Sequence, residues 1–254
     1  MMRIGGHGYE ISTYRCHAGP EDRPFEEAHG APTLAVVRAG RFSYHGARGK
    51  AQLQPGSILL GNAGACYCCS HEDSRGDVCS VIRFDPELFA EASIDSRGFD
   101  RPALPPLGHL VPHLARLASG MTDAPIQLLE AVLKECGTAR DRPALPHSHE
   151  RAALRRSIER IECDFGEPLS LDDLAASAGM SRFHFLRCFR RVYATTPYRY
   201  LQARRLAHAA ERLRATREGI AAIAFDCGFG DLSTFNARFR SAFGQSPGHW
   251  RAKA

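Results

Sequence analysis

The sequence predicts an α+β protein with a β-rich N-terminal part and an all-α C-terminal part. Short apolar runs broken by Gly, Pro and Asn fill residues 11–84, as in sandwiches and small barrels of short strands. From about residue 150 onward, apolar residues recur every three or four positions, as they do on one face of a helix. With 254 residues, the chain is long enough for two such parts, each with its own core.

The first part contains several strand candidates. Residues 33–37 and 57–60 are apolar runs, and residues 39–45 alternate small, polar and aromatic side chains as a half-buried strand does. Residues 86–92 have the pattern of a short helix that leaves the β region. We therefore assign residues 1–100 to a β domain.

A Pro-rich stretch at residues 101–106 separates the strands from helical patterns. Leucines at 110, 114 and 117 recur at helical spacing, and so do the apolar residues of 126–136. We assign 101–147 to a helical linker, with 126–136 as a possible homodimer contact. The C-terminal domain then covers residues 148–254.

Charge is distributed unevenly between these parts. From residue 150 to the end there are 18 Lys and Arg against 11 Asp and Glu, a balance of +7. The first 149 residues carry the remaining 15 against 17, a balance of −2. This asymmetry indicates a polyanionic partner for the C-terminal domain, and nucleic acid is the principal candidate.

The C-terminal domain contains an internal repeat with an offset of 50 residues. The spacing Phe-x-x-x-Phe-Arg occurs at residues 185–190 and again at 235–240. Three further positions match in chemical type: Tyr193 with Phe243, Pro197 with Pro247, and Tyr200 with Trp250. A repeat of this length predicts two copies of one supersecondary unit.

Each copy has the pattern of a helix, a turn with glycine and a second helix, which is the helix-turn-helix motif. Ser170 and Asp173 predict a helix start in the first unit, and Ser181 and Asp231 are N-cap candidates for the second helix of each unit. The units cover about 171–193 and 220–243. A protein-binding helical repeat is the alternative, but two copies in a basic domain favour DNA.

Three stretches in residues 150–252 carry a family resemblance. They read LSLDDLAASAGMSRFHFLRCFRR, TPYRYLQARRLAHAAERL and IAAIAFDCGFGDLSTFNARFRSAFGQSPGHWR. They resemble the DNA-binding domain of AraC/XylS-type bacterial transcription regulators, and the β domain resembles the cupin-like effector domain of such proteins. The resemblance implies a cupin-like β-barrel or sandwich, linker helices, and two helix-turn-helix units joined by a long helix over 197–217. Their recognition helices would enter the major groove about 34 Å apart.

The resemblance places the first recognition helix at residues 181–193. It would present a set of side chains to base edges: Phe183, His184, Leu186 and Arg187. Arg187 is the leading candidate for a specific base contact, because a guanidinium bonds guanine O6 and N7 together. Three arginines would contact phosphates and position the helix without reading sequence: Arg182, Arg190 and Arg191.

The second recognition helix departs from the family pattern. Many members have Arg at the position of Ala237, whose methyl group donates no hydrogen bond. The candidates that remain near the groove are Leu232, Ser233, Asn236 and Arg240. We expect this unit to read bases weakly and to contribute mainly contacts with the DNA backbone.

A cysteine cluster in the β domain is the second candidate site. It reads CYCCSHED at residues 66–73 and is followed by Cys79. Thiolate and imidazole ligands suit zinc or another soft divalent metal. Cys69, His71 and Cys79 form the predicted ligand set, with Asp73 or Cys66 as the fourth ligand. Two other interpretations stay open: core packing of buried cysteines, and a redox-reactive thiol.

These patterns together predict a sequence-specific transcriptional regulator with no catalytic residues. Its partners would be double-stranded DNA and RNA polymerase, and its effector is a metal ion, a thiol or redox signal, or another ligand that the sequence does not identify. Two alternatives are kept: a cupin-type metalloenzyme, although the β domain lacks a His-x-His ligand pair, and a Cys-based DNA alkylation repair protein.

Location is predicted from what the sequence lacks. The chain has no apolar run of about 18 residues, and its first residues lack the apolar segment of a signal peptide. Nine cysteines, an odd number, indicate reduced thiols or ligands rather than a disulfide framework. We expect a cytoplasmic protein with no membrane partner.

Overall fold

The computed structural model describes residues 3–6, 8–24, 26–71, 76–92, 98–138, 148–193 and 195–252. The chain divides into two compact units, the first formed by Met1–Pro106 with Pro125–Arg142, and the second by Leu107–Ala124 with Pro143–Ala254. The helices of the predicted linker are therefore divided between the two units.

The described residues of the first compact unit form ten strands. They are β1 (Arg3–Gly6), β2 (Tyr9–Cys16), β3 (Glu26–Ala28), β4 (Thr33–Gly40), β5 (Phe42–Gly46), β6 (Gly49–Leu53), β7 (Ile58–Gly61), β8 (Cys66–Ser70), β9 (Asp77–Phe84) and β10 (Ala103–Leu104). They form a six-stranded sheet in the order β1-β2-β9-β4-β7-β10 and a four-stranded sheet in the order β3-β8-β5-β6. All pairs are antiparallel. The short β10 lies in the Pro-rich stretch, where the sequence predicts no strand.

The helices are α1 (Pro86–Ala92), α2 (Val111–Ala118), α3 (Ala124–Thr138), α4 (Ser148–Asp164), α5 (Leu171–Ser177), α6 (Arg182–Tyr193), α7 (Pro197–Ala215), α8 (Ile220–Asp226), α9 (Leu232–Phe243) and α10 (Pro247–Ala252). In the described ranges, none combines the length and apolarity that a bilayer crossing requires. The long helix α7 ends two residues before the predicted end, because Thr216 is already extended.

The two sheets of the first unit pack face to face. Their shared core takes residues from both: Ala35, Val37, Leu59, Cys79 and Val81 from the larger sheet, and Phe42, Tyr44 and Leu53 from the smaller one. The predicted fold class, a β sandwich followed by helices, is confirmed.

The second unit contains two apolar cores that share helix α7. The N-terminal half of α7 contributes Tyr200 and Leu201 to the core of the first helix-turn-helix unit. The C-terminal half, from Leu206 to Leu213, belongs to the core of the second unit, which α2 joins through Val111 and Ala115. Helix α7 fixes the two helix-turn-helix units to each other, because each of their cores buries one half of the helix.

The internal repeat predicted from the sequence has matching geometry in the two cores. The ring centroids of Phe185 and Phe189 are 5.5 Å apart, and so are those of Phe235 and Phe239. The next ring in each copy, Tyr193 or Phe243, follows at 4.5 Å. The last matched pair, Tyr200 and Trp250, is fully buried. The two motifs are therefore copies in packing as well as in sequence.

Local signals around the motifs also act as predicted. Ser170 and Asp173 form a reciprocal capping box at the start of α5, and Asp231 caps α9 by accepting from the Thr234 amide at 2.7 Å. The turn glycines Gly179 and Gly228 have φ of +64° and +82°. This left-handed conformation favours glycine and lets the chain turn sharply between two crossed helices.

Candidate nucleic-acid interface and sensor cavity

Helix α6 separates its residues into a packed face and a solvent face. Phe185, Cys188 and Phe189 are buried, whereas Phe183 has 84% of its surface exposed. The remaining predicted contacts are exposed or half-buried: Arg182, His184, Leu186, Arg187, Arg190 and Arg191. The helix thus presents four guanidinium groups and one aromatic ring to solvent along one side.

A chain of polar contacts positions the predicted base-reading arginine. Arg187 Nη2 lies 3.2 Å from His184 Nδ1, and His184 Nε2 lies 3.0 Å from Glu150 Oε1. A guanidinium only donates, so Nδ1 must accept and Nε2 must carry the proton that goes to Glu150. His184 therefore connects α4 to Arg187 through Glu150, a residue that the sequence analysis did not select.

The predicted phosphate contact Arg182 already has a carboxylate neighbour. Its Nε donates to Asp172 Oδ1 at 2.8 Å, and a second contact joins Nη2 to Oδ2. Both side chains are exposed, and the hydrogen bonds from Arg182 lower the pKa of Asp172. DNA phosphate and Asp172 would therefore compete for the same guanidinium.

Helix α9 presents a less basic surface. Leu232, Ser233, Asn236 and Arg240 are exposed, as the candidate set requires, with 36% of the Leu232 surface accessible. Arg238 is half-buried and lies over the ring of Tyr198, with its guanidinium carbon 5.6 Å from the ring centroid. Sequence reasoning did not select this second-unit arginine.

Arg205, on α7, is a structural residue that the sequence did not reveal. Its guanidinium donates to three backbone carbonyls: those of Phe165 at 2.6 Å, Glu167 at 2.7 Å and Gly228 at 2.8 Å. The side chain is buried, and burial lowers its pKa. Since Gly228 belongs to the turn of the second helix-turn-helix unit, Arg205 ties that turn to the segment that follows α4.

The cavity of the first unit has a volume of about 890 Å³. Its wall carries apolar, aromatic and charged side chains from both sheets, among them Arg83, Glu27 and Tyr67. His29 stacks on Tyr67 at 4.2 Å between ring centroids and lies 3.1 Å from the Tyr44 hydroxyl. Burial lowers the pKa of His29 to about 4, so the imidazole is neutral near pH 7. A cavity of this size accommodates a small molecule or an ion.

The predicted metal ligands are only partly brought together. Cys69, His71 and Cys79 line the cavity. Cys66 is exposed and does not line it, because alternation along β8 directs Cys69 to the opposite face. Asp73 lies outside the described residues. Membership of this ligand set stays a prediction for the three cavity residues.

Two residues that the sequence did not select join the cavity cluster. The ligand atoms of Cys16, His71 and Asp77 all lie within 4.8 Å of one another. Asp77 is hydrogen-bonded on both oxygens, to His71 Nε2 at 2.8 Å and to Cys79 Sγ at 3.2 Å. Cys16 and Asp77 are far apart in sequence and meet only because β2 pairs with β9.

Burial raises the pKa of two thiols in the cavity wall, those of Cys69 and Cys79. Burial, with the neighbouring Asp77 carboxylate next in effect, raises the pKa of Cys69 to about 12, and the same two causes raise the pKa of Cys79. A protonated thiol is a poor nucleophile. The raised pKa values therefore favour the packing or metal-binding interpretation of these two residues over a redox-reactive thiol.

Comparison with known proteins places the second unit. A helix-turn-helix domain family matches residues 174–253. Over 104 residues the chain is 36% identical to the regulatory protein SoxS of Salmonella typhimurium, covering 41% of this chain and 96% of SoxS. The chain belongs to the AraC-type family.

Other proteins are similar to this AraC-type chain over stretches of comparable length. The right origin-binding protein of Escherichia coli K12 is 38% identical over 98 residues, which are 39% of this chain and 34% of that protein. A solved AraC-type regulator from Chromobacterium violaceum is 31% identical, with a TM-score of 0.40, and covers 42% of this chain and 96% of its own. The chain therefore spans about a third of the right origin-binding protein's length.

Proposed function

We propose that this AraC-type protein is a sequence-specific DNA-binding regulator whose first unit senses an effector. The observation that carries the proposal is the duplicated helix-turn-helix packing with four exposed arginines on α6. In such motifs the second helix lies in the major groove, where side chains distinguish base pairs by their hydrogen-bonding edges. The +7 balance of the residues beyond 149 adds the attraction to phosphate that nonspecific binding requires.

The candidate contacts divide between sequence reading and positioning. In the proposal, Arg187, held by His184, reads a guanine, and Phe183 contacts a thymine methyl group. Leu186 lies beside them in the groove, while Arg182, Arg190 and Arg191 bind phosphates. The second helix-turn-helix unit adds contacts with the DNA backbone through Ser233, Asn236 and Arg240. Its Leu232 lies near a base.

No catalytic role is proposed. SoxS, to which the chain is similar, is a regulatory protein, and burial raises the pKa of the Cys69 and Cys79 thiols. These observations favour binding over the two enzymatic alternatives, metalloenzyme chemistry and cysteine-based repair. RNA polymerase is the proposed protein partner, and the cytoplasm is the proposed place of action, where promoters are accessible.

A homodimer remains a further proposal. In α3, Leu128, Leu129 and Val132 are fully buried within the chain itself. A dimer contact through this helix would therefore use Ile126 and Leu133, which are half-buried. Sedimentation at micromolar concentration tests this, and a monomer there contradicts it.

Selection of bound duplexes from random DNA by the full-length chain tests the main proposal. We expect enrichment of one motif, with affinity that falls steeply as salt rises because binding releases counterions from phosphates. A chain with the triple change Arg187→Ala, Arg190→Ala and Arg191→Ala should enrich nothing. Equal enrichment by that variant, or no DNA binding by the wild type at low salt, contradicts the proposal.

A further inference from the structure

A cluster of cysteine, histidine and aspartate is assembled from both sheets of the first unit. Cys16 is the last residue of β2, and Asp77, its cross-strand partner, is the first residue of β9. His71 directly follows β8, which belongs to the four-stranded sheet. Three potential ligands thus meet at the cavity wall, two from one sheet and one from the other.

A glycine fixes the backbone at this meeting point. Gly76 has φ of +69°, and a Cβ added there would lie 2.4 Å from the carbonyl oxygen of Cys16. Its amide donates to the carbonyl of Ala18 at 2.8 Å. No larger residue fits this approach, so Gly76 holds Asp77 opposite Cys16.

The cluster is compact and largely removed from solvent. His71 and Asp77 have 5% and 6% of their surfaces exposed, and Cys16 is half-buried. The His71 Nε2 to Asp77 Oδ1 distance of 2.8 Å is that of a direct hydrogen bond. Tetrahedral coordination at zinc distances requires these atoms to move to roughly 3.3 Å apart, a shift of about half an ångström that side-chain rotation supplies.

We infer that Cys16, His71 and Asp77 bind one soft or borderline divalent cation, for which zinc is the simplest test ion. Thiolate, imidazole and carboxylate together form a ligand set typical of zinc and disfavour magnesium or calcium, which prefer oxygen ligands. The cation replaces the thiol proton of Cys16, and that proton leaves to solvent. Binding is therefore coupled to release of at least one proton.

The fourth coordination position has a neighbour in place. Cys79 Sγ already donates to the second oxygen of Asp77 at 3.2 Å, and Cys69 lines the same cavity. This set shares only His71 with the three core ligands predicted from the sequence, since Cys16 and Asp77 stand in place of Cys69 and Cys79. Because the ligands come from opposite sheets, a bound cation would add a metal bridge to the apolar core and the His71–Asp77 hydrogen bond that already hold the sheets together.

A competing group lies in the second unit. The ligand atoms of Glu150, His184 and Cys188 also fall within 4.8 Å of one another. His184 has 36% of its side chain exposed, and its two nitrogens already contact Glu150 and Arg187. The experiment must therefore separate the two groups.

The test uses the full-length chain, stripped with a chelator in a non-thiol reductant and titrated with zinc against a chromophoric chelator. We expect one equivalent of tightly bound zinc, and Cys16→Ser and His71→Gln should each weaken it by at least about 100-fold, since even outer residues of metal sites contribute 10- to 100-fold. Cobalt should give a thiolate charge-transfer band that Cys16→Ser weakens.

Two matched controls accompany these variants. Cys66→Ser removes an exposed thiol of β8, and Glu150→Gln removes the carboxylate of the competing group; neither should change the affinity. Circular dichroism of the metal-free variants checks their fold, and Cys16→Ser, which exchanges sulfur for oxygen at a half-buried position, decides the question if His71→Gln unfolds. The inference is overturned if the wild-type chain binds no zinc tightly. It is also overturned if Cys16→Ser still binds zinc tightly while Glu150→Gln does not.

The site itself does not depend on DNA binding, and only its role as the effector site rests on the proposed function. Operator binding measured on the same preparations separates the two. Zinc uptake without any DNA binding would contradict the regulator and leave the site standing, whereas DNA binding without zinc uptake would do the reverse.

Discussion

The guanidinium of Arg182 lies on the carboxylate of Asp172, with 2.8 Å between Nε and Oδ1. This pair joins the first residue of the recognition helix α6 to the first turn of α5. The arginine predicted to bind phosphate is therefore already neutralised by an exposed acid. If Arg182 binds phosphate as proposed, DNA must displace or share this contact, which would limit the affinity of the first helix-turn-helix unit.

Asp172→Asn should tighten DNA binding. The substitution removes a competing carboxylate and one negative charge next to the phosphate-binding surface, with an expected gain of roughly two- to fivefold, the size of one exposed ion pair. Fluorescence anisotropy over a salt series measures it, and the steeper salt dependence of a better-engaged arginine should accompany it. Glu167→Gln, which removes an exposed acid outside α5 and α6, is the control. Unchanged binding in Asp172→Asn would show that Arg182 does not contact DNA.

Arg187→Ala should relax sequence specificity more than it weakens binding. Loss of a bidentate contact to guanine removes about 1–3 kcal/mol of discrimination at one base pair. Competition between the selected duplex and single-base variants measures this. The control Arg217→Ala removes the same charge from an exposed position between α7 and α8 and should weaken all sequences equally. Equal discrimination in Arg187→Ala and the wild type would refute the base-reading role.

His184→Ala should reproduce part of the Arg187 defect. Without the Nδ1 acceptor at 3.2 Å, the guanidinium loses its anchor to Glu150 and samples more rotamers, which costs binding entropy. We expect weaker discrimination at the same base pair that Arg187→Ala affects. Additive losses in the double variant His184→Ala with Arg187→Ala would contradict this coupling, because residues that act together are not additive.

Arg205→Met should destabilise the second helix-turn-helix unit. The substitution keeps an apolar stem but leaves three carbonyls without their charged donor, at a cost on the order of 3 kcal/mol. Urea unfolding followed by the fluorescence of Trp250, the single tryptophan, measures the free energy of the second core. Arg199→Met, at an exposed position of the same helix, should change little. Equal stability of the two variants would show that the three hydrogen bonds contribute nothing.

The β-rich first compact unit should lose stability in mild acid because of His29. Burial lowers the pKa of His29 to about 4, against an opposing effect of Glu27 and with a smaller lowering by Arg83. In the unfolded chain, the His29 imidazole has its ordinary pKa near 6.5. Between about pH 6.5 and about pH 4 the unfolded chain therefore binds a proton that the folded chain does not bind. The contribution of His29 is complete above about pH 6.5 and is lost progressively as pH falls toward about 4.

Urea unfolding followed by far-ultraviolet circular dichroism, at pH values between about 7 and about 4.5, measures this dependence. The comparison variant His29→Gln keeps a polar side chain that does not titrate, so its stability should fall less steeply over the same interval. Other acids titrate in both proteins, and the difference between the two curves isolates His29. Parallel curves would show that His29 does not cause the acid sensitivity.

Much of the C-terminal helical domain was predictable because its signals are local. The capping of α5 by Ser170 involves residues three apart, and the Phe185 and Phe189 spacing places both rings on one helical face. The internal repeat then predicts the second helix-turn-helix unit from the first one. The exposure of the α6 arginines follows directly once the buried phenylalanines fix the helix orientation.

Contacts between distant segments were not predictable. The sequence alone determined that strands precede two copies of a helix-turn-helix unit, since hydrophobic period and turn chemistry are properties of neighbouring residues. The tertiary structure decided that Cys16 faces Asp77, because strand order is set by the packing of whole sheets. It also decided that Arg205 binds backbone carbonyls, which every residue carries and which therefore leave no mark in a sequence.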